Sequence, residues 1–374
     1  MPKLRVLIVD DSVVIRRLLS TILQQEPGIE VVGQATNGRL ALDAIRQLTP
    51  DLVILDIEMP EMDGLQALEE IRKTWPRLLV LVLSALSTRG GEATFKALAL
   101  GAADYMVKPA ASQPETLTQF STELVAKITA LGGASLRSDF CNVQVPTATP
   151  RRAETEAQSA DAAAGAPSKA IPIEILAIGV STGGPNALAQ LLPALSDHLP
   201  VPVVIVQHMP PVFTNMLAIR LAEKSKLTVL EGVSGTRLDP GAVYIAPGGS
   251  HMTVTRNALG AWLHTNQNPP ENCCRPSVDV LFRSVAAAYG RHALGIILTG
   301  MGVDGLRGCR CLREAGGYVM AQDKESSVVW SMPGSVVKAD LAHRVLPLER
   351  IGSEIVSKIL VSRLGLRSML EAKR

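Results

Sequence analysis

Short apolar runs rich in β-branched residues alternate with amphipathic segments along two stretches of the chain. The predicted strands of the first stretch are Leu4–Val9, Glu30–Val32, Leu52–Leu55, Leu78–Leu83 and Asp104–Val107. Those of the second are Ile175–Ile178, Val203–Val206, Val243–Ala246, Leu294–Leu298, Tyr318–Met320 and Arg344–Leu346. Strands that alternate with helices pair in parallel, and uninterrupted apolar strands fit a sheet covered on both faces. The pattern therefore predicts two doubly wound α/β domains.

The segment between the two patterns has almost no bulky apolar residues. It opens at Gly132-Gly133 and includes the run Ala162-Ala163-Ala164. Such a composition cannot bury enough apolar surface to form a core, so we predict a flexible linker, although an Ala-rich segment also permits a short helix. The resulting division is a first domain at 1–130, a linker at 131–170, a second domain at 171–365 and a tail at 366–374.

Composition excludes several classes of protein. The net charge is only +2 and the basic residues are dispersed, which argues against a nucleic-acid partner. The five cysteines are an odd number without framework spacing, as in reduced cytoplasmic proteins, and Cys309-x-Cys311 lacks a second pair for zinc. The run Leu4–Val9 is too short for a signal peptide, and no apolar run approaches the ~20 residues of a spanning helix. We therefore expect a cytoplasmic protein without direct membrane insertion.

Carboxylates follow two strands of the first domain. Asp10 and Asp11 end the first strand, and Asp56 ends the third. In a flavodoxin-like strand order these strands are neighbours at the switch point, where ligands bind. Three carboxylates brought together repel one another, and Mg²⁺ is the cation that suits so few protein ligands. The sequence therefore predicts a magnesium site.

Later strands of the same domain end in groups that suit a phosphate. Ser84 offers a hydroxyl, and Lys108 offers a compact cation. Together with the carboxylates they predict a phosphoryl acceptor in which Asp56 attacks the donor. The alternative is that each aspartate caps a helix or a solvated strand end. Five suitable groups at four strand ends argue against that interpretation.

The first domain resembles the receiver domain of two-component response regulators from about residue 3 to residue 128. The resemblance is carried by Val9-Asp10-Asp11-Ser12, Leu55-Asp56-Ile57-Glu58-Met59-Pro60, Met62-Asp63-Gly64, Ser84, Gly101-Ala102, Asp104-Tyr105 and Lys108-Pro109. It implies phosphotransfer to Asp56 from a histidine kinase and a change in position of Ser84 and Tyr105. It also implies that the metal is held by Asp10, Asp11 and Asp56 and by the backbone carbonyl of Glu58. Asp63 is expected to be structural.

A serine lies in a glycine-rich turn at the start of the second domain. The predicted strand Ile175–Ile178 runs into Gly179-Val180-Ser181-Thr182-Gly183-Gly184, which fits the G-x-S-x-G turn of serine hydrolases. The following helix would present backbone N–H groups to a developing negative charge. A similar turn also binds phosphate in nucleotide sites, so the hydrolase interpretation requires a base.

All six histidines lie beyond residue 170. His208 ends the next strand, so it and Ser181 would share one rim of a parallel sheet. A dinucleotide site would instead place an acidic residue near this point. His251 is the rival base, and strand adjacency favours His208.

A carboxylate should orient the base. Asp304 follows the strand Leu294–Leu298 and is our first choice for this role. The rivals are Asp279, in an apparently amphipathic helix, and Asp323, the stronger of the two. Residue patterns alone leave this choice open.

The complete chain resembles the chemotaxis protein-glutamate methylesterase family everywhere except the linker. The specific blocks are Ile178–Pro185, Gln207–Pro210, Tyr244–Gly249, Cys274–Asp279, Leu298–Gly305 and Met332–Gly334. The resemblance implies a Rossmann-like serine hydrolase domain with a triad of Ser181, His208 and Asp304, and an oxyanion donor at the Met301 backbone N–H. It implies hydrolysis of γ-glutamyl methyl esters on the cytoplasmic helices of membrane chemoreceptors, and deamidation of receptor glutamines. No organic cofactor is implied for the hydrolase, and the unphosphorylated receiver would cover its active site.

Three alternatives to this function differ in class. A receiver joined to a nucleotide-binding module would use the Gly179–Gly184 turn for phosphate. A DNA-binding regulator would need a compact basic output domain, which the large second α/β pattern does not fit. An esterase acting on another protein substrate would share all these residues.

Overall fold

The first domain is a five-stranded parallel sheet with helices on both faces. The computed structural model describes residues 3–109, 114–135, 171–195 and 199–371. The strands are β1 (Leu4–Val9), β2 (Ile29–Ala35), β3 (Leu52–Asp56), β4 (Leu79–Ser84) and β5 (Asp104–Val107). The helices are α1 (Val13–Gln24), α2 (Gly38–Leu48), α3 (Gly64–Thr74), α4 (Thr88–Ala99) and α5 (Pro114–Ser135). The strand order β2-β1-β3-β4-β5 places β1 beside β3, as predicted.

Local sequence signals set where these helices begin. Asn37 caps α2 by accepting the Leu40 N–H, and Asp63 caps α3 in a reciprocal capping box with Gln66. Asp63 is thus structural, as expected. Gly64 follows it because a Cβ there would lie 2.1 Å from the Asp56 carbonyl oxygen. This close approach sets the backbone of the loop next to Asp56.

The second domain contains a seven-stranded parallel sheet and an antiparallel hairpin. The strands are β6 (Ile175–Val180), β7 (Val203–Gln207), β8 (Thr228–Glu231), β9 (Ala242–Ile245), β10 (His251–Asn257), β11 (Gly260–Asn266), β12 (Ala293–Ile297), β13 (Tyr318–Gln322) and β14 (Arg344–Leu346). The helices are α6 (Gly184–Leu191), α7 (Phe213–Lys224), α8 (Val278–Tyr289), α9 (Leu306–Glu314), α10 (Ser331–Lys338) and α11 (Leu348–Glu371). Every predicted strand is present, whereas β8 and the β10–β11 hairpin were not predicted.

The strand order of this sheet, β14-β13-β12-β6-β7-β9-β8, places a switch point at β6. The chain builds outward from β6 in one direction through β7 and later returns to its other side with β12. Loops after β6, β7 and β12 therefore diverge from one rim, and the crevice between them is where ligands bind in open parallel sheets.

Two helices run past the domain limits suggested by composition. Helix α5 continues through Gly132 and Gly133 to Ser135, and α11 continues to Glu371, beyond the start of the expected tail. The rest of the linker lies outside the described residues, and the division into domains stays a prediction. No described helix has the length and apolarity that a membrane span requires.

The first domain packs on the second through α4 and β5. The Tyr105 ring stacks on Phe213 with ring centroids 5.3 Å apart and planes 6° from parallel. Phe95 lies 6.4 Å from the same phenylalanine ring. Beside this contact, Asn186 Nδ2 in α6 donates to the Ala102 carbonyl oxygen at 3.3 Å. The contact is therefore an apolar aromatic cluster with a polar edge.

Candidate active site

The turn after β6 holds Ser181 at the rim of the sheet. The Ser181 N–H donates to the Thr299 carbonyl at 3.0 Å, and the Ser181 carbonyl accepts from Gln207 Nε2 at 2.9 Å. Gly183 has a φ of +75°, and a Cβ there would lie 2.7 Å from the Val328 side chain. Glycine is therefore required, and the hydroxyl of Ser181 is presented on a rigid turn.

His208 follows β7 beside this turn. Val180 pairs with Gln207 in the parallel ladder, so Ser181 and His208 each come directly after a paired residue. The His208 N–H also donates to the Val180 carbonyl at 3.2 Å. The structure thus brings these two predicted residues to adjacent positions on one rim.

Asp304 lies against the imidazole, with its Oδ2 2.8 Å from His208 Nε2. The carboxylate is buried and also accepts hydrogen bonds from Val278 N at 2.7 Å, Ser277 Oγ at 2.8 Å, Asn272 Nδ2 at 2.8 Å, Asp279 N at 3.1 Å and Gly305 N at 3.1 Å. Burial opposes the charged form, but the contact with His208 and the backbone donors lowers the pKa of Asp304 to about 2. Asp304 is a fixed anion at neutral pH.

The contact with Asp304 also affects the pKa of His208. Burial alone lowers the pKa of an imidazole, but hydrogen bonds to Asp304 and to the Cys274 thiol outweigh it and raise the pKa of His208. Since Nε2 faces Asp304, Nδ1 is the nitrogen left to accept a proton.

Cys274 lies at that nitrogen, with Sγ 3.7 Å from His208 Nδ1. The Ser181 hydroxyl makes no hydrogen bond within the described part of the chain. A hydrogen bond between Ser181 and His208 is therefore not formed. The thiol occupies the side of the ring that the serine would need. The structure therefore brings the three predicted residues to one site but not into one hydrogen-bonded chain.

The rival residues have other partners. His251 is buried, accepts the Ser277 N–H at Nδ1 and contacts the Pro269 carbonyl through Nε2. Asp279 accepts the Gly308 N–H at 2.6 Å. Asp323 accepts from Ser326 at the end of β13, two strands from β6. Neither carboxylate has a hydrogen bond to His208, so Asp304 is the carboxylate that orients it.

The loop after β12 lies over Ser181. A Cβ on Gly300 would be 2.8 Å from the Ser181 Cβ, so the loop backbone passes directly beside the serine. Within the residues that the structure describes, the Met301 N–H donates no hydrogen bond, whereas the next N–H, of Gly302, donates to Ser331. A free backbone N–H next to a serine is suited to an oxyanion.

The loop before α8, which holds Asp304, had no predicted role of its own. Asn272, Cys274 and Ser277 reach the His208–Asp304 pair from the loop before α8. The block Cys274–Asp279 carried part of the family resemblance and contains Cys274 and Ser277, whereas no signal pointed to Asn272.

The predicted carboxylates of the first domain also converge. Lys108 Nζ lies 2.8 Å from Asp10 Oδ2 and 2.7 Å from Asp56 Oδ2. Both oxygens are buried, and they receive no well-directed hydrogen bond within the described residues. Burial raises the pKa of Asp56 to about 6 against the lowering effect of Lys108, and Asp10 adds to the increase. One ligand atom each from Asp10, Asp11 and Asp56 lies within 4.8 Å of the others, which fits one cation.

The remaining predicted residues surround this cluster or lie behind it. A cavity of about 270 Å³ is lined by Asp11, Asp56, Glu58, Ser84 and Lys108 among others. The Ser84 hydroxyl donates away from Asp56, to the Gly90 carbonyl at 3.0 Å. Tyr105 does not line the cavity and is instead buried against Phe213. Ser84 and Tyr105 thus lie between the acidic site and the domain contact.

Comparisons with known proteins agree with this architecture. Residues 6–120 match the response regulator receiver domain and residues 176–355 match the CheB methylesterase. A Trichodesmium erythraeum protein called protein-glutamate methylesterase/protein-glutamine glutaminase is 46% identical over 96% of this chain and 100% of its own. A Nocardioides relative of the same name is 47% identical over 97% of each chain. The crystal structure of the Thermotoga maritima CheB methylesterase catalytic domain is 40% identical over 50% of this chain and 99% of its own, with a TM-score of 0.49.

Similarity over nearly the full length of both relatives covers the two α/β domains together, including the turn of Ser181 and the acidic site of Asp56. The chain is therefore a member of the protein-glutamate methylesterase family, in which a response regulator receiver domain precedes a CheB methylesterase domain.

Proposed function

We propose that this protein is a phosphorylation-regulated hydrolase that converts γ-glutamyl methyl esters on chemoreceptors to glutamate and methanol. The observation that carries the proposal is the oriented His208–Asp304 pair on the sheet rim beside Ser181. The site is a cleft between loops, which suits a side chain presented by a protein substrate.

The chemistry begins with the proton of Ser181. Asp304 fixes the imidazole with a proton on Nε2, and His208 Nδ1 takes the serine proton as Oγ attacks the ester carbonyl carbon. The tetrahedral oxyanion is stabilised by the Met301 N–H. When it collapses, the C–O bond to methanol breaks and the imidazolium returns its proton to the leaving oxygen. Water then hydrolyses the acyl-enzyme by the same steps, and Ser181 recovers its proton.

The position of Cys274 determines what the reactive arrangement requires. Its thiol lies at His208 Nδ1, where the Ser181 hydroxyl has to be in order to transfer its proton. The described arrangement is therefore a resting one, and Ser181 must replace Cys274 at this nitrogen.

The first domain supplies control through a phosphoryl group on Asp56. An oxygen of the Asp56 carboxylate attacks the phosphorus of a phosphohistidine on a histidine kinase, the P–N bond breaks, and the kinase imidazole leaves. Lys108 pairs with the transferred anion. Asp10, Asp11, Asp56 and the Glu58 carbonyl would hold Mg²⁺, which supplies positive charge against the incoming phosphate. The convergence of ligand atoms from Asp10, Asp11 and Asp56 within 4.8 Å supports this assignment.

The contact between the domains explains how control reaches the cleft. Val329, in the loop before α10, belongs to the same apolar cluster as Phe120 of α5, and Met301 packs at its edge. The receiver therefore packs against the loops that surround Ser181. A change in Ser84 and Tyr105 on phosphorylation would loosen this contact and favour an open arrangement of the domains.

Receptor glutamine is a second substrate for the Ser181 site. An amide carbonyl presents the same oxygen to Met301, and ammonia leaves in place of methanol, so receptor glutamines would be converted to glutamate. The substrate lies on the cytoplasmic helices of membrane receptors, so the protein would act in the cytoplasm by docking to them.

Mass spectrometry of receptor peptides tests this function. Receptor membranes carrying both methyl-esterified and glutamine sites are incubated with the wild type or with Ser181→Ala, and each site is measured separately. We expect the wild type to convert methyl esters to glutamate, with slower conversion of glutamine, and Ser181→Ala to convert neither. Unchanged peptides with the wild type would exclude receptor side chains as substrates.

A further inference from the structure

The thiol of Cys274 lies beside the catalytic base and makes no contribution to the hydrolysis described above. Its Sγ lies 3.7 Å from His208 Nδ1, on the side of the ring opposite Asp304. The neighbouring Cys273 is exposed, and Cys274 itself is partly buried. A soft sulfur ligand and an imidazole nitrogen therefore face each other at the edge of the cleft.

We propose that Cys274 and His208 form a binding site for a thiophilic divalent cation of the zinc class. In tetrahedral coordination, Zn–S and Zn–N bonds of about 2.3 Å and 2.0 Å place the two ligand atoms about 3.5 Å apart. The observed separation of 3.7 Å is close to this value. A cation can therefore bridge the two atoms with only a small shift, and water completes its coordination.

Asp304 completes the arrangement from behind the histidine. A histidine that binds a metal through one nitrogen usually donates its other N–H to a carboxylate, which fixes the tautomer and the ring orientation. His208 Nε2 already has this partner in Asp304, which is itself held by five further donors. The ligand atoms of all three residues lie within 4.8 Å of one another. Nδ1 thus already faces Cys274 before a cation arrives.

Binding of this cation inhibits the hydrolase. Cys274 and His208 Nδ1 release their protons to solvent as the metal–sulfur and metal–nitrogen bonds form, and the Nδ1 lone pair becomes a metal ligand. His208 can then no longer accept the proton of Ser181. Binding itself is independent of the proposed function, whereas this inhibition rests on it. Two protein ligands, rather than the four of a structural site, imply reversible binding that a chelator reverses.

Cobalt binding tests the site without using activity. Co²⁺ is titrated into the full chain, and the thiolate-to-cobalt charge-transfer absorbance is measured in the wild type, Cys274→Ser and Cys273→Ser. We expect the band in the wild type and in Cys273→Ser, and its loss in Cys274→Ser. In parallel, Zn²⁺ should slow ester hydrolysis about tenfold or more in the wild type and less than about twofold in Cys274→Ser.

A second measurement uses only the wild-type chain, in case Cys274→Ser fails to fold. Iodoacetamide labels accessible thiols with and without Zn²⁺, and peptide mass spectrometry quantifies each cysteine. Selective protection of Cys274 supports the site. Equal labelling of Cys274 in both samples, or a cobalt band that survives in Cys274→Ser, overturns it. A metal-free wild type that binds cobalt but hydrolyses no receptor ester would contradict the proposed function and leave the metal site intact.

Discussion

Tyr105 of the receiver stacks on Phe213 of the methylesterase domain, with the two rings 5.3 Å apart and 6° from parallel. Tyr105 lies in β5, and Lys108 of the acidic site comes directly after the end of the same strand. Phe213 opens α7, which lies beyond the strand that carries His208. This aromatic pair therefore connects an element of the acidic site with an element of the hydrolase site.

Removing the Tyr105 ring should weaken the contact between the receiver and the methylesterase domain. Tyr105→Ala loses an aromatic pair worth about 0.5–1.5 kcal/mol beyond its buried area, so the rate without phosphodonor should rise about twofold to tenfold. Initial rates of ester hydrolysis measure this. Tyr318→Ala is the matched control, because Tyr318 stacks on His343 within the second domain. A basal rate in Tyr105→Ala that is no higher than in the control would argue against inhibition through this contact.

Asp56→Asn should lose the response to phosphodonor. The amide cannot form the acyl phosphate, so a small donor such as acetyl phosphate should no longer raise the rate of hydrolysis. Asp63→Asn is the control, since asparagine also caps a helix and the capping contact with Gln66 is retained. Stimulation of Asp56→Asn equal to that of the wild type would contradict a phosphoryl acceptor at this residue.

Asp304→Asn should reduce kcat by about 10³- to 10⁴-fold, because an amide stabilises the wrong imidazole tautomer and cannot balance the imidazolium charge. Asp323→Asn should leave kcat near the wild-type value, since its carboxylate serves only the Ser326 turn. Steady-state kinetics on one ester substrate compare the two variants. Similar losses in both would mean that Asp304 has no special role.

The pH profile should report the raised pKa of His208. The base works only when it is deprotonated, so kcat/KM should rise with pH through that pKa, which lies above the ordinary histidine value of about 6.5. The Cys274 contact is one cause of the increase, so in Cys274→Ser the rise should occur at lower pH. Profiles of kcat/KM for both proteins measure the shift. A wild-type profile already flat at pH ~6.5 would be inconsistent with this pKa.

The stability of the folded protein should also depend on the charge of the Asp304 carboxylate. Its pKa of about 2 lies below the value of an unfolded chain, so its contribution is complete above pH ~4 and is lost as the pH falls towards 2. Thermal unfolding of the wild type and Asp304→Asn should therefore differ least in strong acid. A difference that is constant with pH would exclude this linkage.

Much of the fold could be read from the sequence because buried parallel strands are continuous apolar runs. The predicted β1 and β5 match the structure residue for residue. The strand β8 was missed because its burial alternates and it lies at the sheet edge, so it lacks such a run. Helix α5 extends past Gly132 to Ser135, and the buried residue Leu131 belongs to its packed face.

The candidate site was predictable where side chains follow strands and less so where a loop supplies them. Ser181 and His208 follow paired strands, so strand order alone brings them together. Asn272 and Cys274 arrive from an irregular loop whose path depends on tertiary contacts, and no periodic pattern describes it. The same loop places Cys274 at His208 Nδ1, and strand order could not predict this contact.

The central claim is tested most directly by methanol release from receptor membranes that carry methylated glutamates. Wild type and Ser181→Ala are compared in the presence of Mg²⁺, with and without a small phosphodonor. We predict that the wild type releases methanol, that the donor raises the rate, and that Ser181→Ala releases none above the uncatalysed background. Wild-type-like release by Ser181→Ala, or no release by the wild type with donor, would contradict the account.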